Sequence, residues 1–287
     1  MIVITGANGQ LGRAVVENLL ARVPAADLGV SVRDQDKART LQERGVRVRR
    51  GDFTDPQSLA HAFEGASQVL IVSADTTGEA AVNAHRTAVQ AAKTAGVRRV
   101  LYSSHMGVNP SSPFAPMPDH AATETALRDS GLAFTSLRNG FYASTTLMLL
   151  RGALQTGELA APEDGPVSWT THADLAEAAA IVLATEGRFE GPTPPLTGSE
   201  ALDLADVAAI ASDLTGHPIK RVTTTDEQYQ ATLVSHGVPE SQAAMLVGLF
   251  VASRRGEFAE VDPTLATLLG RPPTLLRDFL KATIATT

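Results

Sequence analysis

The chain has 287 residues, a formal net charge of −7 and no cysteine. The acidic balance argues against a nucleic-acid surface, because binding to phosphates needs a basic patch. The missing cysteines exclude disulfides, thiolate metal ligands and a cysteine nucleophile, and they fit a reducing cytosol. With no apolar run of membrane-spanning length and no recognisable signal peptide, we expect a cytoplasmic protein without a membrane span.

The first twenty residues predict a dinucleotide-binding turn. An apolar β-branched run at 2–4 is followed by a glycine-rich segment, and leucines and valines then recur at helical spacing over 11–20. A strand, a glycine turn and a helix in succession are the context in which glycines bind a dinucleotide. Gly6 lets the chain turn sharply, Gly9 lets the pyrophosphate approach a free helix N-terminus, and Gly12 lets that helix pack on the sheet. The cofactor contacts predicted in this turn are Gly6, Asn8, Gly9, Gln10, Leu11 and Gly12.

The second strand, over 28–32, ends at the residue expected to choose the cofactor. An acid at such a strand end binds the ribose 2′-OH of NAD, whereas an arginine can accommodate the 2′-phosphate of NADP. Arg33 takes that position, with Arg13 and Lys37 near it. Asp34 would cap the following helix, so we predict NADP(H) as the cofactor. A solvated surface arginine is the alternative.

Strands and helices alternate through the first two thirds of the chain. Further strands are predicted over 46–48, 69–72, 97–102 and 133–137, and helices over 36–44, 55–62, 79–95 and 119–130. This alternation predicts an α/β fold with a Rossmann-type, doubly wound parallel sheet. Ligands of such sheets bind beyond the carboxyl ends of the strands. The cofactor contacts predicted there are Asp52 and Phe53 beside the adenine, and Ser73, Ala74, Ser103 and Ser104.

The second half of the chain differs in pattern. A loop is predicted over 107–118, helical patterning up to 150, an irregular segment over 152–167, and an alanine-rich helix ending at 184. Prolines then precede helices near 202–214, 227–235, 241–253 and 274–285, with short extended pieces at 196–197 and 219–222. We therefore predict an NADP(H)-binding domain over 1–190, with a lobe-crossing segment at about 141–172. A smaller, mainly helical substrate lobe follows over 191–287.

Several segments together resemble the NmrA-like group of atypical short-chain dehydrogenases and, within it, bacterial NADPH:quinone oxidoreductases of the type 2 class. They are the glycine turn, Val32-Arg33, Gly51-Asp52-Phe53, Leu137-Arg138-Asn139-Gly140-Phe141-Tyr142 and His172-Ala173-Asp174-Leu175-Ala176. The resemblance runs over essentially the whole length. It implies a cofactor in the cleft between two lobes with quinone above the nicotinamide. It also implies cofactor contacts at Asn139, Gly140, Phe141 and His172.

The chain departs from ordinary short-chain dehydrogenases, which use a Tyr-x-x-x-Lys pair. No tyrosine here is followed by lysine four residues later, and no lysine lies between Lys93 and Lys220. The type 2 class carries lysine at the position of Thr125 and often arginine at that of His172. Reduction of a quinone tolerates this loss, because hydride addition gives an anion like a phenolate, of pKa about 10, which water can protonate.

Tyr142 and His105 are the polar side chains predicted to orient the substrate, His105 because histidine titrates nearest to neutrality. A core tyrosine and a loop histidine are the alternatives. His120 and Glu124 stand one helical turn apart, but two ligands do not make a metal site, and no metal is expected.

The predicted function is transfer of hydride from NADPH to a quinone or similar electrophilic carbonyl without a Tyr-x-x-x-Lys pair. The alternative is an NmrA-like regulatory protein that senses NADP(H) with little or no turnover. A homodimer is left open.

Overall fold

A computed structural model describes residues 1–284 and contains a seven-stranded sheet with helices on both faces. The strands are β1 (Ile2–Thr5), β2 (Leu28–Val32), β3 (Arg47–Arg50), β4 (Gln68–Ile71), β5 (Arg99–His105), β6 (Ala133–Asn139), β7 (Phe141–Tyr142), β8 (Glu158–Pro162), β9 (Trp169–Thr170), β10 (Gly191–Pro192) and β11 (Lys220–Thr224). The helices are α1 (Gln10–Leu20), α2 (Arg39–Glu43), α3 (Pro56–Phe63), α4 (Glu79–Thr94), α5 (Pro116–Ser130), α6 (Ser144–Thr156), α7 (His172–Ala184), α8 (Leu204–Thr215), α9 (Asp226–Ser235), α10 (Glu240–Arg254), α11 (Thr264–Leu269) and α12 (Leu276–Ile284). Among these residues, none of the helices is both long and apolar enough to cross a membrane.

The sheet has the order β10-β6-β5-β4-β1-β2-β3 with every neighbouring pair parallel. The chain builds outward from β1 to β3 and then returns to place β4 on the other side of β1. This reversal is the switch point of a doubly wound sheet, where ligands bind beyond the strand ends. The predicted Rossmann-type fold is confirmed.

The two faces of the sheet have separate apolar cores. Side chains alternate along each strand, so Ile4 and Leu101 pack with α1 and α7. Val3 and Tyr102 belong to the opposite core, beneath α3, α4 and α5. A third core joins side chains from both sides of residue 190, among them Trp169 from β9 and Phe250 from α10. The domain boundary after residue 190 stays a prediction.

Four local features differ from the predictions. The segment 152–167 is not irregular throughout, because it contains the end of α6 and then β8, which pairs in parallel with β11. The short helix α11 was not predicted, and α5 begins at Pro116 inside the predicted loop. Strand β5 extends to His105. Ser103 and Ser104, which were expected to follow the strand, are therefore part of it and pair with β6.

Arg99 joins the sheet to the elements beneath its amino-terminal edge. Its guanidinium is buried and donates to the side chains of Gln68 (3.2 Å) and Thr135 (2.8 Å). It also donates to the carbonyls of Val182 and Phe189, both at 3.3 Å. All four acceptors are uncharged oxygens, and these hydrogen bonds offset part of the desolvation of the cation.

We predict that Arg99→Met lowers the free energy of unfolding by about 2–4 kcal/mol, because it leaves buried acceptors without donors. Chemical denaturation measures the change. Arg98→Met is the matched control, because Arg98 is exposed and its ion pair is with exposed Glu186 (3.3 Å). Its effect should stay within about 0.5 kcal/mol. Equal effects at the two positions would contradict this role for Arg99.

Candidate functional site

The turn between β1 and α1 is shaped by glycines. Gly6 has a φ of +63°, in the left-handed region that glycine favours. A Cβ on Gly12 would lie 2.4 Å from the carbonyl oxygen of Gly6, so only glycine allows this close packing of helix on turn. The N–H of Gly9 donates to the same carbonyl at 2.9 Å. The turn therefore presents backbone rather than side chains.

The N-terminus of α1 is a site for an anion. No side chain caps it, and the first bond of the helix runs from the N–H of Arg13 to the carbonyl of Gly9 (3.0 Å). The N–H groups of Gln10, Leu11 and Gly12 are thus left unpaired by helix geometry. They lie at the positive end of the helix dipole. These residues fit the pyrophosphate of a dinucleotide.

At the end of β2, Arg33 presents an exposed guanidinium. Its side chain is 74% exposed and 3.8 Å from the carboxylate of Asp75 across the switch point. Asp34 is used locally, because it accepts from the N–H of Asp36 (3.1 Å) and pairs with Lys37 (3.8 Å). The predicted helper Lys37 is therefore partly neutralised. The side chain of Asn8 donates to the carbonyl of Asp34 (2.8 Å) and ties the glycine turn to this strand end.

The predicted adenine contacts after β3 differ in availability. One oxygen of Asp52 accepts from the N–H and hydroxyl of Thr54 at 2.9 and 2.8 Å, and these bonds lower the pKa of Asp52. Its other oxygen lies 4.0 Å from the guanidinium of Arg50. The ring of Phe53 is half-buried, edge-on to His85 at 6.3 Å between centroids, and offers an apolar wall.

Of the predicted contacts at the ends of β4 and β5, Ser73 and Ser103 lie together, whereas Ser104 lies apart from them. The N–H of Ser73 donates to the hydroxyl of Ser103 at 2.8 Å. The N–H of Ala74 donates to Nε2 of His85 at 2.9 Å. Ser104 lies on the other face of the sheet, where its buried hydroxyl donates to Glu124 (2.7 Å). The hydroxyl of Ser104 is therefore used in a hydrogen bond within the protein.

The buried carboxylate of Glu124 forms an ion pair with partly exposed Arg138 beside the site. Its side chain is 3% exposed and accepts from Nε (3.2 Å) and Nη2 (2.8 Å) of Arg138 besides Ser104. The pKa of Arg138 is raised by this contact. Ser104 and Arg138 immediately precede His105 and Asn139, which are paired across β5 and β6. Glu124 thus anchors the residues next to two predicted site residues.

His105 lies where the sheet meets the C-terminal lobe. Its ring is edge-on to Phe141 (5.2 Å between centroids) and Phe258 (5.6 Å), and Nδ1 accepts from the N–H of Gly107 at 3.0 Å. Burial lowers the pKa of His105 to about 3. The expectation that His105 titrates near neutrality is therefore wrong, because the aromatic surroundings remove the water that would stabilise an imidazolium.

Tyr142 stacks on His172, with centroids 4.1 Å apart and planes 29° apart. Burial raises the pKa of the Tyr142 phenol and lowers that of the His172 imidazole, so both rings are neutral at neutral pH. The position between Asn139 and Phe141 requires glycine, because a Cβ on Gly140 would lie 2.2 Å from the hydroxyl oxygen of Thr170. The end of β6 at Asn139 is therefore tightly packed, and Gly140 and Phe141 follow it directly.

Some residues around this edge gave no signal in the sequence. His85 lies in the middle of α4, and Phe258 lies in a loop of the C-terminal lobe more than a hundred residues from its contacts. His120 and Glu124 have separate partners. Within residues 1–284, no group of three or more histidine, aspartate or glutamate side chains is arranged to hold a metal ion.

Comparisons with known proteins agree with this geometry. Residues 6–186 match a family described as NAD(P)H-binding. The chain is 36% identical to quinone oxidoreductase 2 of Escherichia coli over 97% of this chain and 96% of that protein. It is 33% identical to the NAD(P)H azoreductase of Xenophilus azovorans, covering 98% and 97%. An NmrA-like family domain-containing oxidoreductase of Aspergillus flavus is 30% identical, covering 97% and 93%.

A solved structure shows the same likeness. The NADPH-dependent quinone oxidoreductase of Escherichia coli in complex with NADPH superposes with a TM-score of 0.93. That match has 34% identity and covers 99% of this chain and 100% of the other. The likeness therefore includes the C-terminal lobe.

The buried histidines predict a loss of stability in acid. Burial lowers the pKa of His85 to about 4, from about 6.5 in the unfolded chain. Between these values only the unfolded chain binds the proton, so the free energy of unfolding falls as the pH falls from 6.5 towards 4. The contribution of His85 is on the order of 3 kcal/mol.

Urea titrations at several pH values check this expectation. His85→Gln should show a shallower fall over the same interval, because glutamine does not titrate. His61→Gln, at a histidine whose side chain is 63% exposed, is the control and should keep the wild-type slope. An unchanged slope in His85→Gln would contradict the assignment.

Proposed function

Because the chain belongs to the NmrA-like NAD(P)H-binding oxidoreductases, we propose that it transfers hydride from NADPH to a quinone or similar electrophilic carbonyl. It is an NAD(P)H-dependent oxidoreductase with a small-molecule substrate. The observation that carries the finer proposal is the aromatic surroundings of His105, because a desolvated neutral imidazole can donate a hydrogen bond but is a poor acid. Its ring lies against those of Phe141, Phe258 and His120.

The preference for NADPH rests on the end of β2. Arg33 is exposed there with no hydrogen bond to its guanidinium in the described part of the chain, apart from the long contact to Asp75. A guanidinium offers a planar fork that matches a phosphate. Asp34, the acid that could otherwise bind a ribose hydroxyl, is engaged with Asp36 and Lys37.

The proposed reaction needs residues that position rather than protonate. The bound nicotinamide supplies the hydride. His105 and Tyr142 would orient the acceptor through hydrogen bonds from a neutral imidazole and a neutral phenol. Phe141 and Phe258 exclude water from one side of His105. An alkoxide formed from an aliphatic ketone would need a strong proton donor, whereas a hydroquinone anion of pKa about 10 takes its proton from water.

The direct experiment is NADPH consumption with a panel of small quinones, with NADH and an aliphatic ketone run in parallel. We expect turnover with quinones and NADPH, weaker use of NADH and little use of the ketone. A folded protein that binds NADPH but reduces no acceptor would overturn the proposal. That result would favour a regulator that senses NADP(H).

We predict that Arg33→Ala weakens NADPH binding by about 10–100-fold, because it removes a charge-assisted contact worth about 1.5–3 kcal/mol. NADH binding should change little, since NADH has no 2′-phosphate. Calorimetry with both cofactors measures the two constants. Arg39→Ala, at an exposed arginine paired with Asp36 (2.8 Å), is the control. Equal losses for NADPH and NADH would show that Arg33 is not the selector.

We also predict modest effects at the substrate-orienting residues. Tyr142→Phe and His105→Phe should each lower quinone turnover by about tenfold or less. Removal of a true general acid typically costs about 10²–10⁴-fold. Steady-state kinetics should show the loss in kcat/KM for the quinone. A fall in kcat of roughly a thousandfold in either variant, with NADPH binding intact, would identify a proton donor and refute the acid-free mechanism.

A further inference from the structure

His120 adjoins the same edge but has no part in the mechanism above. It lies in the first half of α5, and its partly exposed ring is nearly parallel to that of His105. The two centroids are 6.1 Å apart and the planes differ by 27°. Both imidazoles therefore border the same region at the end of β5.

Tyr102 lies behind His120 and fixes one of its nitrogens. The phenol is fully buried, and its oxygen is 2.7 Å from Nδ1 of His120. Burial raises the pKa of Tyr102 above its usual value, so the phenol keeps its proton. Thr123 is a second hydrogen-bond partner of this phenol. Because an imidazole nitrogen is a better acceptor than a hydroxyl oxygen, we infer that the O–H of Tyr102 donates to Nδ1. A neutral imidazole that accepts at one nitrogen carries its proton on the other, here Nε2.

His105 is held in the same tautomer by different means. Its Nδ1 accepts from the backbone N–H of Gly107, a group that can only donate, so its proton is also on Nε2. His85 differs, because Ala74 donates to its Nε2 and its Nδ1–H is used by Thr123 (2.9 Å). His105 and His120 are therefore two histidines at this edge that each keep one N–H free of these bonds.

Resting on the proposed function, we propose that His120 is a second substrate-contacting donor, and that Tyr102 is its positioning residue. The Nε2–H groups of His105 and His120 would both donate to the acceptor oxygen that becomes negative as the hydride arrives. Fixed donors at a developing oxyanion stabilise the transition state without reorganisation. The quinone accepts two electrons and one proton as hydride from NADPH, giving NADP⁺ and the hydroquinone monoanion. Water supplies the second proton, so neither imidazole is deprotonated.

The tautomers can be tested in the resting protein. Long-range ¹H–¹⁵N spectra at neutral pH distinguish a proton on Nε2 from one on Nδ1, and His105→Gln and His120→Gln assign the signals. We expect both rings to be neutral with the proton on Nε2. Tyr102→Phe should turn the His120 signals into a mixture of tautomers and leave those of His105 unchanged. A proton on Nδ1 of His120 in the wild type would overturn the proposal.

Kinetics with a small quinone test the role in turnover. His120→Phe keeps a ring but loses the N–H, and should lower kcat/KM about tenfold while the Kd for NADPH stays within twofold. His120→Gln places an amide N–H near the position of Nε2 and should recover most of the loss. The double variant with His105→Phe should lose about a hundredfold or more. His61→Gln is the control with wild-type kinetics.

The outcomes separate this inference from the function on which it rests. If the wild type reduces the quinone and His120→Phe does so with the same kcat/KM, the proposed function stands and the role of His120 is overturned. Equal losses in His120→Phe and His120→Gln also overturn it, because they would report packing rather than a donor. A wild type that binds NADPH but reduces no quinone overturns the proposed function as well.

Discussion

Desolvation of the histidines at the sheet edge is the constraint on which the chemistry of this site depends. Aromatic rings of Phe141 and Phe258 pack against one side of His105, and burial lowers its pKa to about 3. The pKa of His120 is lowered well below its usual value by burial and by the neighbouring histidines. A neutral imidazole can donate a hydrogen bond but is a poor acid, so the site suits an acceptor whose reduced anion needs no strong proton donor.

The ion pair between buried Glu124 and partly exposed Arg138 holds this edge in place. Burying the carboxylate is costly, but here it accepts three hydrogen bonds, including one from Ser104. Removal of Arg138 would leave an uncompensated buried carboxylate, which typically costs about 3–5 kcal/mol. The ion pair thus joins α5, β5 and β6 one residue before His105 and Asn139. Rigid neighbours of this kind allow weak donors to act at fixed positions.

The sequence was sufficient for features set by local pattern and insufficient for those set by distant packing. The glycine turn and the parallel sheet follow from spacing that any such fold needs, and both are present. The position of Ser104 depends on how far β5 extends. The strand ends in polar residues, so the apolar pattern of the sequence predicts a shorter strand. Strand β8 was missed because its partner β11 lies about sixty residues later. The pKa of His105 depends on Phe258, which only the tertiary fold brings near.

The central claim is direct hydride transfer from NADPH to a quinone at this edge. It is tested most directly by one anaerobic turnover, in which the protein and NADPH with deuterium at nicotinamide C4 are mixed with a small quinone. The account predicts loss of the nicotinamide absorbance, slowed several-fold for only one of the two C4-labelled forms. Unchanged absorbance, or equal rates for both labelled forms and unlabelled NADPH, would contradict it.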